Sequence, residues 1–268
     1  MLIRGASFLV LAFLYLPLVV IAIYAFDRAR GQAWPPPGFT TNWFRVAWHD
    51  QEVRSALWLS VKVGLGATAV ALVLGSAAAF AVHRFRFFGR ETISFVLVLP
   101  IALPGIVTGL ALNSAINTSG IPFGVLTIIV GHATFCVVVV FNNVVARLRR
   151  MPTSLAEASM DLGADGWQTF RYVTLPSLST ALVAGGLLAF ALSLDEIVVT
   201  NFTAGTETTL PIFIFNNLRL PGNRPIVNVV ALAVIVLSLV PVYLAQRLTR
   251  EEGGRITARE PSAAAPAP

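Results

Sequence analysis

Two adjacent carboxylates, Asp195 and Glu196, stand in a segment that is otherwise apolar, from about residue 177 to residue 200. Because a charge is costly inside a membrane, acidic residues in such segments commonly face a watery path or pair with another charge. Neighbouring side chains on a helix point about 100° apart, so at most one of the two carboxylates faces a given cavity. The pair therefore indicates a path that attracts cations, although a place at the water interface, with pairing to Lys62, explains the same residues.

A second patterned stretch lies between two apolar segments and runs from Glu157 to Pro176. Its order is Glu157-Ala158-Ser159, three residues, Gly163, nine residues and Val173-Thr174-Leu175-Pro176. Ser154 followed by Glu157 has the capping-box pattern, which predicts a short helix from about residue 155 to residue 162. Gly163 suits the left-handed backbone conformation that ends many helices.

A second helix is predicted directly after this glycine. Asp165, with Gln168 three residues later, repeats the capping-box pattern and opens a helix that ends at a break before Pro176. The stretch is therefore predicted to be a helix, a glycine elbow and a second helix, held between two long apolar segments.

The whole chain is hydrophobic, which makes the lipid bilayer its natural solvent. Apolar residues make up 56% of its 268 residues, charged residues make up 12%, and the mean hydropathy is +0.77. A membrane span needs roughly 20 mainly apolar residues. Six segments meet this requirement, at about residues 6–26, 56–82, 92–113, 122–145, 177–200 and 226–246. We expect an all-α polytopic membrane protein with a membrane domain over residues 1–250 and a disordered tail over residues 251–268.

Basic residues are distributed unequally between the two sides of these spans. An even number of spans puts both termini on one side, which carries twelve arginines, whereas the other side carries six arginines and Lys62, mostly in longer loops. Basic residues concentrate in short cytoplasmic loops, so both termini and the 151–176 stretch are predicted to be cytoplasmic. The net charge of +6 then reflects membrane topology and not a nucleic acid partner. The first apolar segment is interpreted as a retained span and not as a cleaved signal peptide.

The third apolar segment contains helix-breaking residues. Pro100 and Pro104 each remove a backbone donor, so this span is predicted to kink. Backbone carbonyls freed in this way are tolerated in a membrane only beside protein or a watery cavity. Pro104 is therefore a candidate for the lining of a path, with a bend that only improves packing as the alternative. Phe202, which follows the fifth segment, is a candidate for the outer mouth of the same path.

The stretch from Glu157 to Pro176 resembles the Glu-Ala-Ala loop of ATP-binding-cassette (ABC) importer permeases. The pattern of that loop is Glu-Ala-Ala, three residues, Gly, nine residues and Ile-x-Leu-Pro, and here Ser159 replaces the second alanine and Val173 replaces isoleucine. In that family the short helix docks in a groove of the ATPase subunit. The resemblance thus implies coupling to an ATPase through residues 154–165. The residues expected to take part are Ser154, Glu157, Ala158, Asp161, Gly163, Leu175 and Pro176.

The resemblance extends to the second permease of spermidine/putrescine importers. It includes the runs Asp161-Leu162-Gly163-Ala164, Leu192-Ser193-Leu194-Asp195-Glu196 and Leu99-Pro100-Ile101-Ala102-Leu103-Pro104. It implies the type I ABC importer permease (MetI-like) fold in the bacterial inner membrane. The implied partners are a second permease subunit in a heterodimer, two ATPase subunits and an extracytoplasmic substrate-binding protein. A polyamine would then be the cargo, with Asp195, Glu196, Phe202 and Pro104 along its path.

Three alternatives remain at this point. The same class of importer also serves iron, thiamine, phosphonates or opine-like compounds, and a stand-alone secondary transporter can have six spans. An intramembrane enzyme is a weaker alternative, because the spacing from Asp161 to Asp165-Gly166 does not fit phospholipid-head-group transferases, and no Gly-x-Ser-x-Gly or His-Glu-x-x-His motif is present. No phosphate-binding Gly-x-x-x-x-Gly-Lys motif is present either, so any ATP is used by a partner chain. No catalytic residue, cofactor or metal site is predicted.

Overall fold

The computed structural model describes residues 2–32, 34–85 and 88–257, and it is built almost entirely of helices. In chain order the helices are α1 (Leu2–Ala25), α2 (Asn42–His49), α3 (Gln51–Arg84), α4 (Arg90–Ala102), α5 (Gly105–Thr118), α6 (Val125–Arg150), α7 (Ser154–Asp161), α8 (Gly166–Thr169), α9 (Leu175–Leu194), α10 (Val198–Thr203), α11 (Leu210–Asn217) and α12 (Arg224–Thr257). A π-helical turn, Phe170–Thr174, joins α8 to α9, and a 3-10 turn, Pro221–Asn223, precedes α12.

Five helical stretches of the described chain are long and apolar enough to cross a membrane. They are Arg4–Ala25, Gln51–Arg84, Val125–Arg150, Gly166–Leu194 and Arg224–Arg247. These stretches overlap the first, second, fourth, fifth and sixth predicted spans. The all-α membrane architecture is therefore confirmed, while the number of six spans stays a prediction.

The third predicted span is divided into two helices. Helix α4 ends at Ala102, and α5 starts at Gly105 directly after Pro104. Proline cannot donate a backbone hydrogen bond, and it restricts the residue before it to extended conformations. The predicted kink is thus a complete break at residues 103–104, whereas Pro100 lies inside α4.

Two compact units make up the chain. The first comprises the chain up to Ala67 with Leu103–His132 and Leu192–Leu239, and the second comprises Thr68–Ala102, Ala133–Ala191 and the chain from Val240. One apolar cluster of the first unit joins α1, α2, α3, α11 and α12. Its buried members are Ala25, Ala47, Val53, Ala56, Leu210, Phe213, Val229 and Val230. Within this unit, the backbone N–H of Leu210 donates to Ser60 Oγ at 2.8 Å.

In the second unit, α3 and α6 approach each other at Gly75. A Cβ at this position would lie 2.8 Å from the backbone oxygen of Val137 and 3.0 Å from Val140 Cβ. Small residues allow such close contact between membrane helices. Gly75 is therefore needed for this approach, and the small residues Ser76-Ala77-Ala78-Ala79 that follow it also suit close packing of helices.

The start of the predicted disordered tail is helical. Helix α12 continues through Glu251 to Thr257, whereas the sequence predicts disorder from residue 251, and disorder of the tail stays a prediction. Extending an existing helix costs much less than starting one, which explains how polar residues continue a long apolar helix. Residues 258–268, the rest of the predicted tail, lie outside the described residues.

Candidate functional site

The first candidate site is the elbow, formed by α7, Gly163 and α8. Helix α7 begins at Ser154, one residue before the predicted start, and the backbone of Thr153 is already helical. No side chain caps this end, so the predicted capping box of Ser154 and Glu157 is wrong. The reason is that Thr153 supplies its carbonyl to Ala156 N–H at 3.0 Å and Glu157 N–H at 3.2 Å, which moves Ser154 inside the helix.

Gly163 ends α7 as predicted. Its φ angle is +87°, in the left-handed region that glycine enters without a steric penalty. The N–H of Ala164 donates to the Ser159 carbonyl at 3.1 Å, and the N–H of Gly163 donates to the Met160 carbonyl at 2.9 Å. This pair of hydrogen bonds is the Schellman motif, in which glycine closes the last turn of a helix.

The second capping box is also present. The N–H of Gln168 donates to Asp165 Oδ1 at 2.8 Å, and the N–H of Asp165 donates to Gln168 Oε1 at 2.9 Å. Helix α8 therefore starts where the sequence predicts. Ser159 and Thr169 connect the two short helices through their hydroxyl oxygens, which lie 3.1 Å apart.

The predicted helix break before Pro176 is wrong. Helix α8 passes through the π-helical turn Phe170–Thr174 directly into α9, which already contains Leu175 and Pro176. A proline inside an α-helix has no N–H to donate and its ring crowds the carbonyl four residues earlier. The wider π-helical turn ahead of Pro176 relieves this crowding, and Ser177 Oγ donates to the Val173 carbonyl at 2.6 Å.

Aromatic and basic side chains anchor the elbow to the long helices of its unit. The ring of Phe170 meets Phe80 of α3 edge to face at 5.2 Å and stacks on Trp167 at 5.6 Å. Arg147, near the end of α6, donates from Nε to the Ser177 carbonyl at 3.0 Å. Phe170, directly after α8, thus packs on α3, and Arg147 ties α6 to the first turn of α9.

The outer surface of the elbow is open. No side chain of α7 is buried, and Leu162 is 89% exposed. The carboxylates of Glu157 and Asp161 are exposed, and neither joins another described residue by a hydrogen bond or an ion pair. Ser154, Ala158, Gly163 and Pro176 are exposed too, and Leu175 is half-buried. This surface combines apolar and acidic groups that a partner protein can cover.

The second candidate site is the break, residues 195–197, which separates α9 from α10. Helix α9 ends at Leu194 and α10 begins at Val198, so the predicted span at about residues 177–200 contains a helix break, and its limits stay a prediction. Glu196 Oε1 accepts from the N–H of Val199 at 2.8 Å and thereby caps the start of α10. Asp195 is exposed, and its carboxylate has no hydrogen-bond or ion-pair partner in the part of the chain that the structure describes. The two carboxylates therefore have different surroundings.

His132 of α6 contacts both sides of this break. Its Nδ1 lies 2.6 Å from Ser193 Oγ, in the last turn of α9, and its Nε2 lies 2.8 Å from Thr200 Oγ1, in α10. Thr200 donates its own hydroxyl hydrogen to the Glu196 carbonyl at 2.7 Å. A neutral ring with its hydrogen on Nε2 satisfies all of these groups, because Nε2 donates to Thr200 and Nδ1 accepts from Ser193.

The other end of α10 is held by side chains from α5 and α6. Asn113 Nδ2 donates to the Phe202 carbonyl at 2.7 Å, and Thr127 Oγ1 donates to the Thr203 carbonyl at 2.8 Å. The ring of Phe202 lies directly over Gly109, where a Cβ would be 2.4 Å from it. Helix α10 is therefore fixed by hydrogen bonds at both ends and by tight packing along its side.

The four predicted path residues lie in or next to helices α5 and α10. Pro104 directly precedes α5, Asp195 and Glu196 precede α10, and Phe202 is in α10. Pro104 is exposed at the start of α5, next to Gly105, which packs against Val198. Phe202, in α10, is half-buried, and its ring packs against Gly109 of α5. Other polar residues bridge distant helices. For His132 the sequence favours a hydrogen-bonded packing role over proton relay, while the only signal of Ser193, Thr200, Asn113 and Thr127 is polarity within apolar segments.

No metal centre is formed by the described residues, which include no group of three or more His, Cys, Asp or Glu side chains placed to hold an ion. Cys136, the single cysteine, is buried, and its Sγ lies 3.3 Å from the Ala189 carbonyl, to which it donates.

Known proteins of similar sequence and fold are transport components. Residues 71–251 match the family described as "Binding-protein-dependent transport system inner membrane component". The putrescine transport system permease protein PotI of Escherichia coli strain K12 is 36% identical over 239 residues, which cover 86% of this chain and 83% of that protein. The spermidine/putrescine transport system permease protein PotC of Haemophilus influenzae is 34% identical over 246 residues, which cover 91% of this chain and 95% of that protein. A crystal structure of a bacterial ABC transporter that imports alginate has the same fold, with a TM-score of 0.69 at 15% identity, and the match covers 91% of this chain and 95% of that chain.

Proposed function

The chain belongs to the family of binding-protein-dependent transport system inner membrane components, and we propose that it is a permease subunit of an ABC importer whose cargo is a polyamine. One observation carries the proposal: two relatives named for putrescine or spermidine transport are 36% and 34% identical to it over most of their length. These relatives are transport permeases, so the alternatives of a stand-alone transporter and an intramembrane enzyme are set aside.

The proposed topology has six spans with both termini in the cytoplasm. Helices α4 and α5, divided at residues 103–104, together form the third span, between the stretches Gln51–Arg84 and Val125–Arg150. The excess of arginine on the side of both termini supports this orientation. The elbow then faces the cytoplasm.

The elbow is the proposed docking surface for the ATPase subunit. Its shape is defined by the Schellman turn at Gly163 and the capping box of Asp165, while the side chains of α7 are left exposed. Exposed Leu162 offers an apolar contact, and Glu157 and Asp161 offer charged ones. Because α8 continues into α9, movement of the elbow moves the base of a membrane span.

Asp195 is the residue that we assign to the cargo path. Its carboxylate is exposed and has no partner among the described residues, so it can pair with an ammonium group. It also follows the C-terminal end of α9, where backbone carbonyls without intrahelical partners favour a positive charge. Glu196 is assigned to capping α10 and not to the cargo.

The proposed assembly contains a second permease subunit, two ATPase subunits and an extracytoplasmic binding protein, in the bacterial inner membrane. Residues 4–20 of α1 are exposed throughout, which leaves a long apolar surface for lipid and for the second permease. ATP is used by the ATPase partner, and no cofactor is assigned to this chain.

The proposal is tested with the reconstituted complex in proteoliposomes. We expect ATP hydrolysis to rise when the binding protein is loaded with putrescine or spermidine, and labelled polyamine to accumulate inside. Amino acids, a phosphonate and an iron complex serve as competing cargoes. Stimulation by one of these and not by polyamines would reject the cargo, while a chain that transports without any ATPase would reject the permease assignment.

A further inference from the structure

We infer that His132 is a positioning residue for the cargo path, because it bridges the two helices at the break and thereby fixes the backbone that presents Asp195. The inference rests on the proposed function, which assigns Asp195 to the path.

The bridge joins groups that are far apart in the sequence. His132 reaches Ser193 across 61 residues and Thr200 across 68 residues. All three side chains are buried, with exposed fractions of 1%, 4% and 0%. Buried polar groups need their hydrogen bonds because water cannot replace a lost partner. One imidazole from α6 therefore satisfies a hydroxyl on each side of the break.

Helix α10 depends on such contacts for its existence. It has six residues, and a helix of this length is not stable without tertiary support. Glu196 caps its start, and Asn113 and Thr127 bind the carbonyls at its end. Each of these contacts joins α10 to its own flank, to α5 or to α6. Of the side chains described as holding α10, His132 is the one that also contacts Ser193, in the last turn of α9.

Asp195 lies within this bridged segment. It is two residues from Ser193 and five residues from Thr200, and its own side chain is held by no described hydrogen bond. Its position is consequently determined by the backbone at the break. Without the imidazole, Ser193 loses its buried partner and the backbone between Ser193 and Val198 is freed to change direction. The carboxylate of Asp195 then moves away from the position at which it meets the cargo.

The test is a double-mutant cycle in the complete reconstituted complex. The variants are His132→Leu, Asp195→Asn and the double variant, with uptake of labelled putrescine at several concentrations of loaded binding protein. Cys136→Val is the matched control, because Cys136 lies one turn further along α6, is fully buried and contacts α9 through the Ala189 carbonyl. Complex yield and the basal rate of ATP hydrolysis are measured for each variant.

We expect His132→Leu and Asp195→Asn each to lower uptake about tenfold, which corresponds to about 1.4 kcal/mol. The double variant should lose no more than the Asp195→Asn variant, because the residue that His132 positions is already inactive. His132→Gln should recover most of the uptake, since an amide can donate at one atom and accept at the other. The control should stay within about twofold of the wild type.

Two results would overturn the inference. One is normal uptake by the His132→Leu complex, and the other is a double variant whose loss is the product of the two single losses, which indicates a general structural role. If His132→Leu does not assemble, Ser193→Ala replaces it in the same cycle and the same two results decide. If the wild-type complex imports no polyamine, the proposed function is rejected. If the wild-type complex imports polyamine but the losses of the two single variants multiply in the double variant, only the inference about His132 is rejected.

Discussion

The elbow and the break are both interruptions of helical structure, but they are held in opposite ways. The hydrogen bonds described between residues of α7, Gly163 and α8 join positions no more than ten apart, and α7 buries no side chain. At the break, His132 joins residues 61 and 68 positions away, and at the other end of α10 Asn113 and Thr127 join residues 89 and 76 positions away; His132 and Thr127 are buried. On the proposed assignments, the surface that receives a partner is formed locally and stays open, whereas the bend in a membrane span is held by polar side chains from other helices.

The largest effect is expected at the turn of the elbow. Gly163→Val places a β-branched residue at φ +87°, where a residue other than glycine costs about 1–3 kcal/mol. The elbow should open, and the amount of putrescine transported per ATP hydrolysed should fall about tenfold or more. Both quantities are measured in the same proteoliposomes.

Gly166→Val is the matched control for this change. A Cβ at either glycine meets no atom within 4 Å, but only Gly163 has a positive φ. The control should therefore retain coupling. Equal losses in the two variants would contradict the role of the left-handed turn.

The next effect is expected at the far end of α10. Thr127→Val removes the hydroxyl that donates to the Thr203 carbonyl, and a buried polar group without a partner costs about 1–3 kcal/mol. The melting temperature of the purified chain in detergent should fall by several degrees. Thr118→Val is the control, since its hydroxyl bonds within α5 and is exposed; similar melting temperatures for both variants would show that the buried contact adds nothing.

Within the break, substitutions of the two carboxylates should differ in their effects on polyamine uptake and on melting temperature. Asp195→Asn should lower polyamine uptake about tenfold with little change in melting temperature, because its side chain has no described partner. Glu196→Gln should leave both nearly unchanged, because an amide oxygen still accepts from Val199, whereas Glu196→Ala should cost about 1 kcal/mol of stability. Uptake that depends on Glu196 and not on Asp195 would reverse the assignment.

The smallest effect is expected for Ser159→Ala. This change restores the alanine of the related loop pattern and removes the contact with Thr169, which is worth about 0.5–1.5 kcal/mol. Uptake should stay within about twofold of the wild type, while amide hydrogen exchange in α7 should become faster. Ser179→Ala, at an exposed serine bonded within α9, is the control. Unchanged exchange in α7 would contradict a link between the two short helices.

The elbow was largely predictable because its determinants are near one another in the sequence. Gly163 specifies its turn through its own backbone, and Asp165 and Gln168 do so through hydrogen bonds between their side chains and each other's backbone N–H. The errors, at Ser154 and before Pro176, concern positions where neighbouring backbone outweighs a side-chain pattern. Thr153 already supplies the first carbonyls of α7, and a wider turn accommodates the proline.

The break was not predictable by the same means. The charges of Asp195 and Glu196 mark them as candidate functional residues, but no nearby glycine or proline predicts that the helix ends there. The break is bridged by His132, while Thr127 and Asn113 hold the far end of α10, and all three meet these helices only after the chain has folded. A pattern of apolar residues predicts a membrane segment but does not predict which segments contact each other.

The π-helical turn Phe170–Thr174 makes the length of the chain between the elbow and α9 a functional quantity. Its hydrogen bonds span one residue more than those of an α-helix, so it holds one extra residue in its turn. Because the wide turn holds this extra residue without turning the elbow, deleting one residue there would restore ordinary helical hydrogen bonding with little rotation. Deleting a second residue, from a turn that is then α-helical, would rotate the elbow about 100° around the axis of α9. The proposed docking surface would then face a different direction although every residue in it was intact, so a two-residue deletion should be more harmful than most substitutions in the elbow itself.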